Sequence, residues 1–152
     1  MLPATNRRVA NNTCPIFNRE IREATRHSVN QFAKNGHHAI AQRLKELDQE
    51  WDIERTLEAI ASTIILSGLL LGATVDRRWF VLPGLVAAFL VQHAVQGWCP
   101  PLPILRRLGV RTAAEINEER YALKAVRGNF DGIASEKNPQ RRVQESLAAA
   151  TQ

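Results

Sequence analysis

Cys14 and Cys99 are the two thiols of this 152-residue chain, and each is followed by proline. Two cysteines so far apart make no disulfide framework, and neither sits at zinc-ligand spacing from a second ligand. Only a thiolate is a nucleophile, so a reactive cysteine needs positive charge beside it. Arg106 and Arg107 follow Cys99 by a few residues, and their guanidinium groups are expected to lower its pKa. Cys99 is therefore the candidate thiol for a persulfide or another adduct. The plainer alternative is a half-buried residue that packs beside Trp98. His37 and His38 are adjacent and point to different helix faces, so with His27 they read as solvated surface residues. No metal site and no cofactor are expected. The chain has no phosphate-cradling glycine loop and no recognisable Ser–His–acid set.

A second polar set lies inside apolar sequence. Gln92, His93 and Gln96 fall within about one helical turn of each other. Folded back on the preceding apolar stretch, they come level with Ser62, Thr63 and Glu58. Polar groups in hydrocarbon are costly unless paired, so this stripe is expected to face inward. It reads as a lining for a small solute or a proton path, or as hydrogen-bond glue between helices. In the second reading, the commoner role, His93 reaches toward water.

The elements that must position these groups are two apolar runs, Leu57 to Val75 and Trp79 to Trp98, split by Asp76, Arg77 and Arg78. As helices each is roughly 28–30 Å long, which matches the hydrocarbon thickness of a bilayer. Nine residues of the first run are Leu, Ile or Val. At roughly −0.3 to −0.6 kcal/mol each they favour insertion by several kcal/mol. Asp52 is the expected N-cap of the first span, and Glu54 and Glu58 suit the positive end of its dipole. Trp79 and Trp98 are placed as interfacial anchors. Gly68 and Gly72 come level with Gly84 and Ala88, and small residues at this spacing let two helices approach closely. The same face serves a second copy equally well. The Cys99-Pro100-Pro101-Leu102-Pro103 run is expected to forbid further regular helix.

The flanks are polar and helical in pattern. Residues 1–14 are expected to be disordered. Residues 15–52 form an amphipathic helical segment that starts after a Thr13 cap and breaks at Asn35-Gly36. In its second half Ile40, Leu44, Leu47 and Trp51 share one face. Residues 53–130 hold the two spans and a helix that opens on a Thr112–Glu115 capping box and stops at Gly128. Residues 131–152 form a mobile tail, with a loose helix over Val143–Ala150. The predicted fold is thus all-α, a transmembrane helical hairpin of two spans with amphipathic cytoplasmic helices on both flanks.

Mean hydropathy is −0.23 only because the charged flanks dilute the apolar runs. Net charge is +5, but the flanks mix signs finely and no run of five like charges occurs. No nucleic-acid partner is expected, because no recognition motif or stacking-aromatic pattern accompanies the charge. Basic residues flanking the spans (Arg43, Lys45, Arg55, Arg106, Arg107 and Arg111) outnumber Arg77 and Arg78 in the turn. The excess puts both termini in the cytoplasm.

Gln96-Gly97-Trp98-Cys99-Pro100-Pro101-Leu102, a Gly-aromatic-Cys-Pro closing a second span, resembles the YgaP-like inner-membrane domain family. Gly109-Val110-Arg111-Thr112, Glu115-Ile116 and Arg127-Gly128-Asn129-Phe130 look like an extended subgroup of it. The likeness covers roughly Asp48 to Phe130. It implies a small two-span module of the bacterial inner membrane that self-associates, with Cys99 as the matching cysteine. Some members are fused to a rhodanese sulfurtransferase. This chain has no segment for one, so sulfur transfer would need a sulfurtransferase partner. The expected function is a multi-pass inner-membrane protein without enzymatic activity, contacting lipid, forming homo-oligomers and presenting cytoplasmic helices to partners. The alternative is a sulfur-relay or sulfur-compound export component with Cys99 as thiol carrier.

Overall fold

The computed structural model describes residues 4–136 and 138–151. Helix is the regular structure among them: α1 (Arg8–Asn11), α2 (Pro15–Lys34), α3 (Gly36–Gln49), α4 (Ile53–Thr74), a 3-10 turn (Arg77–Phe80), α5 (Val81–Gln96), α6 (Leu102–Arg107), α7 (Ala113–Val126), a second 3-10 turn (Ile133–Ser135) and α8 (Pro139–Thr151). No strand occurs among the described residues, in keeping with the all-α expectation. The chain divides into two units. One joins the residues up to Ile21 with Trp51–Ala114, and the other joins Arg22–Glu50 with the chain from Glu115 onward.

In the first unit α4 packs on the 3-10 turn and on α5. Asp52 caps α4 as expected, its carboxylate accepting from Arg55 N–H at 2.8 Å. The helical stretch that ends with α4 and the stretch Arg77–Gln96, which is the 3-10 turn plus α5, are long and apolar enough to cross a membrane by length and composition. Their contact rests on Gly68 and Gly72. A Cβ on Gly68 would lie 2.6 Å from Pro83 Cδ, and one on Gly72 would lie 2.8 Å from Phe80. The predicted partners were different. Gly84 has nothing within 4 Å of its missing Cβ, and Gly84 and Ala88 are both exposed. Adjacent helix residues point about 100° apart, and here Pro83 rather than Gly84 faces α4.

The sequence-based expectation of a disordered start does not hold for residues 4–14. They carry α1, and Val9 is buried with Ile53, Leu57, Cys99, Leu102 and Leu105. Thr13 does not cap α2; its hydroxyl donates back to Val9 O at 2.8 Å. The proline run does not forbid helix either. α6 starts inside it, because proline in the first helical turn removes an N–H that has no intrahelical partner.

In the second unit, Ile40, Leu44 and Leu47 of α3 bury against Ile116 and Leu123 of α7, with Val29 and Phe32 of α2 alongside. Gly36 (φ 82°) makes the break between α2 and α3 in the left-handed region. Trp51 lies beyond α3 and stays exposed, its ring under the Arg55 guanidinium at 4.2 Å. Glu119 is fully buried. Ser28 Oγ and Arg43 Nε (2.9 Å) donate to one of its oxygens and Arg43 Nη2 (3.3 Å) to the other. One predicted boundary shifts: the helix from Glu115 belongs with Arg22–Glu50 rather than with the spans. The helix expected over Val143–Ala150 is α8, which starts earlier, at Pro139, and buries Ala149.

Gly68→Val is expected to force Pro83 and α4 apart and to destabilise the detergent-solubilised protein by about 1–3 kcal/mol. Gly84→Ala meets no neighbour and should leave stability unchanged or raise it by up to about 1 kcal/mol. Thermal unfolding of the two variants beside the parent chain checks both.

Candidate functional site

The first turn of α4 brings Glu54 to the end of α5. Its carboxylate is shared: Arg8 Nη2 lies 2.8 Å from Oε1, and His93 Nε2 lies 3.0 Å from Oε2. His93 is buried, so in its Nε2–H tautomer it donates to Glu54 inside the structure rather than to solvent. Its Nδ1 is buried and has no hydrogen-bond partner among the described residues.

The end of α5 explains why α1 docks there. Gly97 (φ 79°) turns the chain out of α5 in the left-handed region, and its N–H closes on His93 O at 2.7 Å. The last carbonyls of a helix lack intrahelical donors. Asn12 Nδ2 donates to Gln96 O at 2.8 Å and Arg8 Nη1 reaches Ala94 O at 3.5 Å. A Cβ on Gly97 would lie 2.6 Å from the Arg8 carbonyl, so only glycine permits this approach. Trp98, still half-exposed, follows at the exit.

Cys99 is 4% exposed, among Val9, Ile53, Leu57 and Leu102. Burial pushes its thiol above the ordinary range; the Leu102 backbone N–H pulls part of the way back, and the nearby Glu54 carboxylate pushes up again. This reverses the sequence-based expectation of a lowered pKa. The expected arginine does not serve the thiol, because Arg106 is buried and donates to Val110 O at 3.1 Å and Asn18 Oδ1 at 2.9 Å. Arg107 is exposed. Cys14 is the exposed cysteine.

The predicted polar stripe is not assembled. Of Ser62, Gln92, His93 and Gln96, only His93 is buried, and Ser62 and Gln96 are exposed. Ser62 Oγ donates to Glu58 O of its own helix. Thr63, Ser67 and Thr74 likewise donate to carbonyls four residues back, at 2.7–2.8 Å. Such local bonds satisfy hydroxyls without a partner helix. What exists instead is one hydrogen-bonded latch, Arg8–Glu54–His93, which ties the N-terminal segment to the ends of both apolar helices. Arg8 carried no periodic or motif signal, and Glu54 read only as a dipole residue. Alongside, a half-open apolar cleft of ≈ 170 Å³ lies between α4 and α5, walled by Leu57, Ile64, Phe89 and Leu90 and closed at one end by Cys99.

No hydrogen bond joins the Cys99 thiol to the His93 imidazole among the described residues, and the Glu54 carboxylate already spends both oxygens. Comparison of the chain with family models, curated proteins and solved structures returns no match.

Maleimide should label Cys14 quickly at neutral pH and Cys99 far more slowly, since a raised pKa leaves less thiolate. Labelling of Cys99 should climb as pH rises above the ordinary thiol range, and denaturation should bring the two rates together. Mass spectrometry of the labelled peptides reads both. Glu54→Ala should free Arg8 and speed tryptic cleavage at Arg7 and Arg8, with a stability loss of about 1–3 kcal/mol.

Proposed function

We propose that this chain is a small two-span protein of the bacterial inner membrane, without enzymatic activity of its own. The spans form a self-associating hairpin, and the flanking helices meet partners in the cytoplasm. The observation that carries this reading is the direction in which the apolar side chains point. In the most apolar windows of the two candidate spans only 22% and 6% of residues are buried. The core helix of a soluble protein of this length is mostly buried. Here Leu66, Leu70, Val81, Leu85, Val91 and Val95 all face outward. A continuous apolar surface of this kind marks contact with lipid or with other protein.

The polar groups fit the same environment. The span hydroxyls bond within α4, so no side-chain donor there needs water. Trp79 and Trp98 stand exposed near opposite ends of the second helix, as interfacial anchors do. Gly84 and Ala88, unused between α4 and α5, leave a small-residue face open to a second copy. The likeness to the YgaP-like family gains a packing rationale. Its Gly-aromatic-Cys-Pro run supplies the left-handed exit, the anchor and a buried core residue. The thiol-carrier alternative requires Cys99 to leave that core, which weighs against it.

After carbonate washing, the expressed protein should stay with the membrane pellet. Recovery in the supernatant overturns the reading. Orientation is read by an impermeant thiol reagent on intact cells carrying single cysteines in a Cys14→Ser, Cys99→Ser background. Arg77→Cys should label and Tyr121→Cys should not; the opposite pattern reverses the topology.

A further inference from the structure

Within the second unit, α3, α7 and α8 enclose a half-open polar cavity of ≈ 260 Å³. Asp48 lines it from α3, Arg120, Tyr121 and Lys124 from α7, and Thr151 from α8. Arg120 and Lys124 are four apart on α7, so two cations stack along one side of that helix, and Arg127 follows just beyond its end. Like charges at that spacing repel. A single carboxylate answers them at the cavity: Asp48 Oδ1 lies 2.8 Å from Arg120 Nη2, and its side chain is 67% exposed.

Lys124 is the unusual member. It is 3% exposed, and its ammonium donates to Ala150 O of the last turn of α8 at 2.6 Å. An ammonium has three donors. The other two meet no oxygen acceptor among the described residues, though the ammonium stands over the Tyr121 ring at 6.0 Å, and Arg120 Nε meets none either. The remaining Arg120 bonds go to Leu47 O and Asn117 Oδ1. The cavity lining therefore carries two cations, Arg120 and Lys124, against one carboxylate, Asp48. Burial, and then Arg120, pull the Lys124 ammonium below the ordinary lysine range; Asp48 opposes this and Arg127 adds to it. An anion in the cavity would relieve the strain on the charged form.

We propose that this cavity binds a small oxyanion, a phosphate or phosphate monoester, held by Lys124 Nζ and Arg120. Lysine supplies a point charge and arginine a planar fork, the two common ways of gripping phosphate oxygens. The volume lies below the ~300 Å³ at which drug-sized pockets begin, which suits a phosphate-sized group. The phosphate of a soluble metabolite and that of a lipid headgroup offer the same oxygens. The inference stands apart from whether α4 and α5 insert in a bilayer.

Tyr121 lines the cavity and is the only tyrosine in the chain, so its ring is a reporter without overlap. The full-length protein, ring-labelled with carbon-13 at tyrosine and held in neutral detergent, is titrated with inorganic phosphate, with chloride at matched ionic strength as control. Separate samples receive vesicles of neutral lipid with or without phosphatidic acid. A saturable Tyr121 shift with phosphate, absent with chloride, supports a soluble ligand. A shift seen only with phosphatidic acid supports a headgroup ligand. Lys124→Met should weaken either response by about tenfold or more, the loss expected for one charge-assisted contact. Arg120→Gln serves as a second variant should the first fail to fold, and Lys124→Arg should retain binding. No saturable shift with either probe overturns the proposal, as does an unchanged response in folded Lys124→Met or Arg120→Gln.

Discussion

α4 and α5 spend their apolar side chains on the outside, and the rest of the first unit follows from that constraint. Two helices whose large residues face away from each other need another means of adhesion. Close backbone approach supplies it, at Gly68 against Pro83 and Gly72 against Phe80. Van der Waals contact at such small residues is what holds helices together where water provides no drive. The hydroxyls along α4 turn back on their own carbonyls, which satisfies them without a partner helix.

The helix ends face the opposite problem. There the backbone carbonyls run out of donors and charged side chains begin. The N-terminal segment answers both needs. Asn12 and Arg8 supply donors to the end of α5, and Arg8 shares the Glu54 carboxylate with His93. Val9, between them in sequence, anchors the segment in the cluster that also buries Cys99. Cys99 is thereby drawn into a core position, and its chemistry is subdued by the packing that ends the second apolar helix.

The second unit handles charge by enclosure. Glu119 is fully buried, yet both of its oxygens accept hydrogen bonds from Ser28 or Arg43. Removing one partner of such a set is far more damaging than never having built it. Lys124 is buried as well, with Ala150 O as its one hydrogen-bond acceptor among the described residues and the Tyr121 ring beneath it. That contrast, two buried charges in one unit with unequal satisfaction, is what separates a structural ion pair from a binding site.

The sequence by itself determined what depends on neighbours along the chain. The all-α class, the two apolar lengths, the Asp52 cap and the breaks at Gly36 and Gly128 follow from local propensity and composition. So does the Ile40–Leu44–Leu47 face, whose spacing is a property of one helix. Tertiary structure alone decided which charges meet. Arg8 reaches Glu54, Glu54 reaches His93, and Arg43 reaches Glu119 across separations that no periodicity encodes. It also decided which of Pro83 and Gly84 turns toward α4, since period marks a stripe but not its rotation about the helix axis. The Cys99 thiol differs from expectation for the same reason: Arg106 spends donors on Val110 O and Asn18 Oδ1, and burial is a sum over contacts that only the folded chain makes.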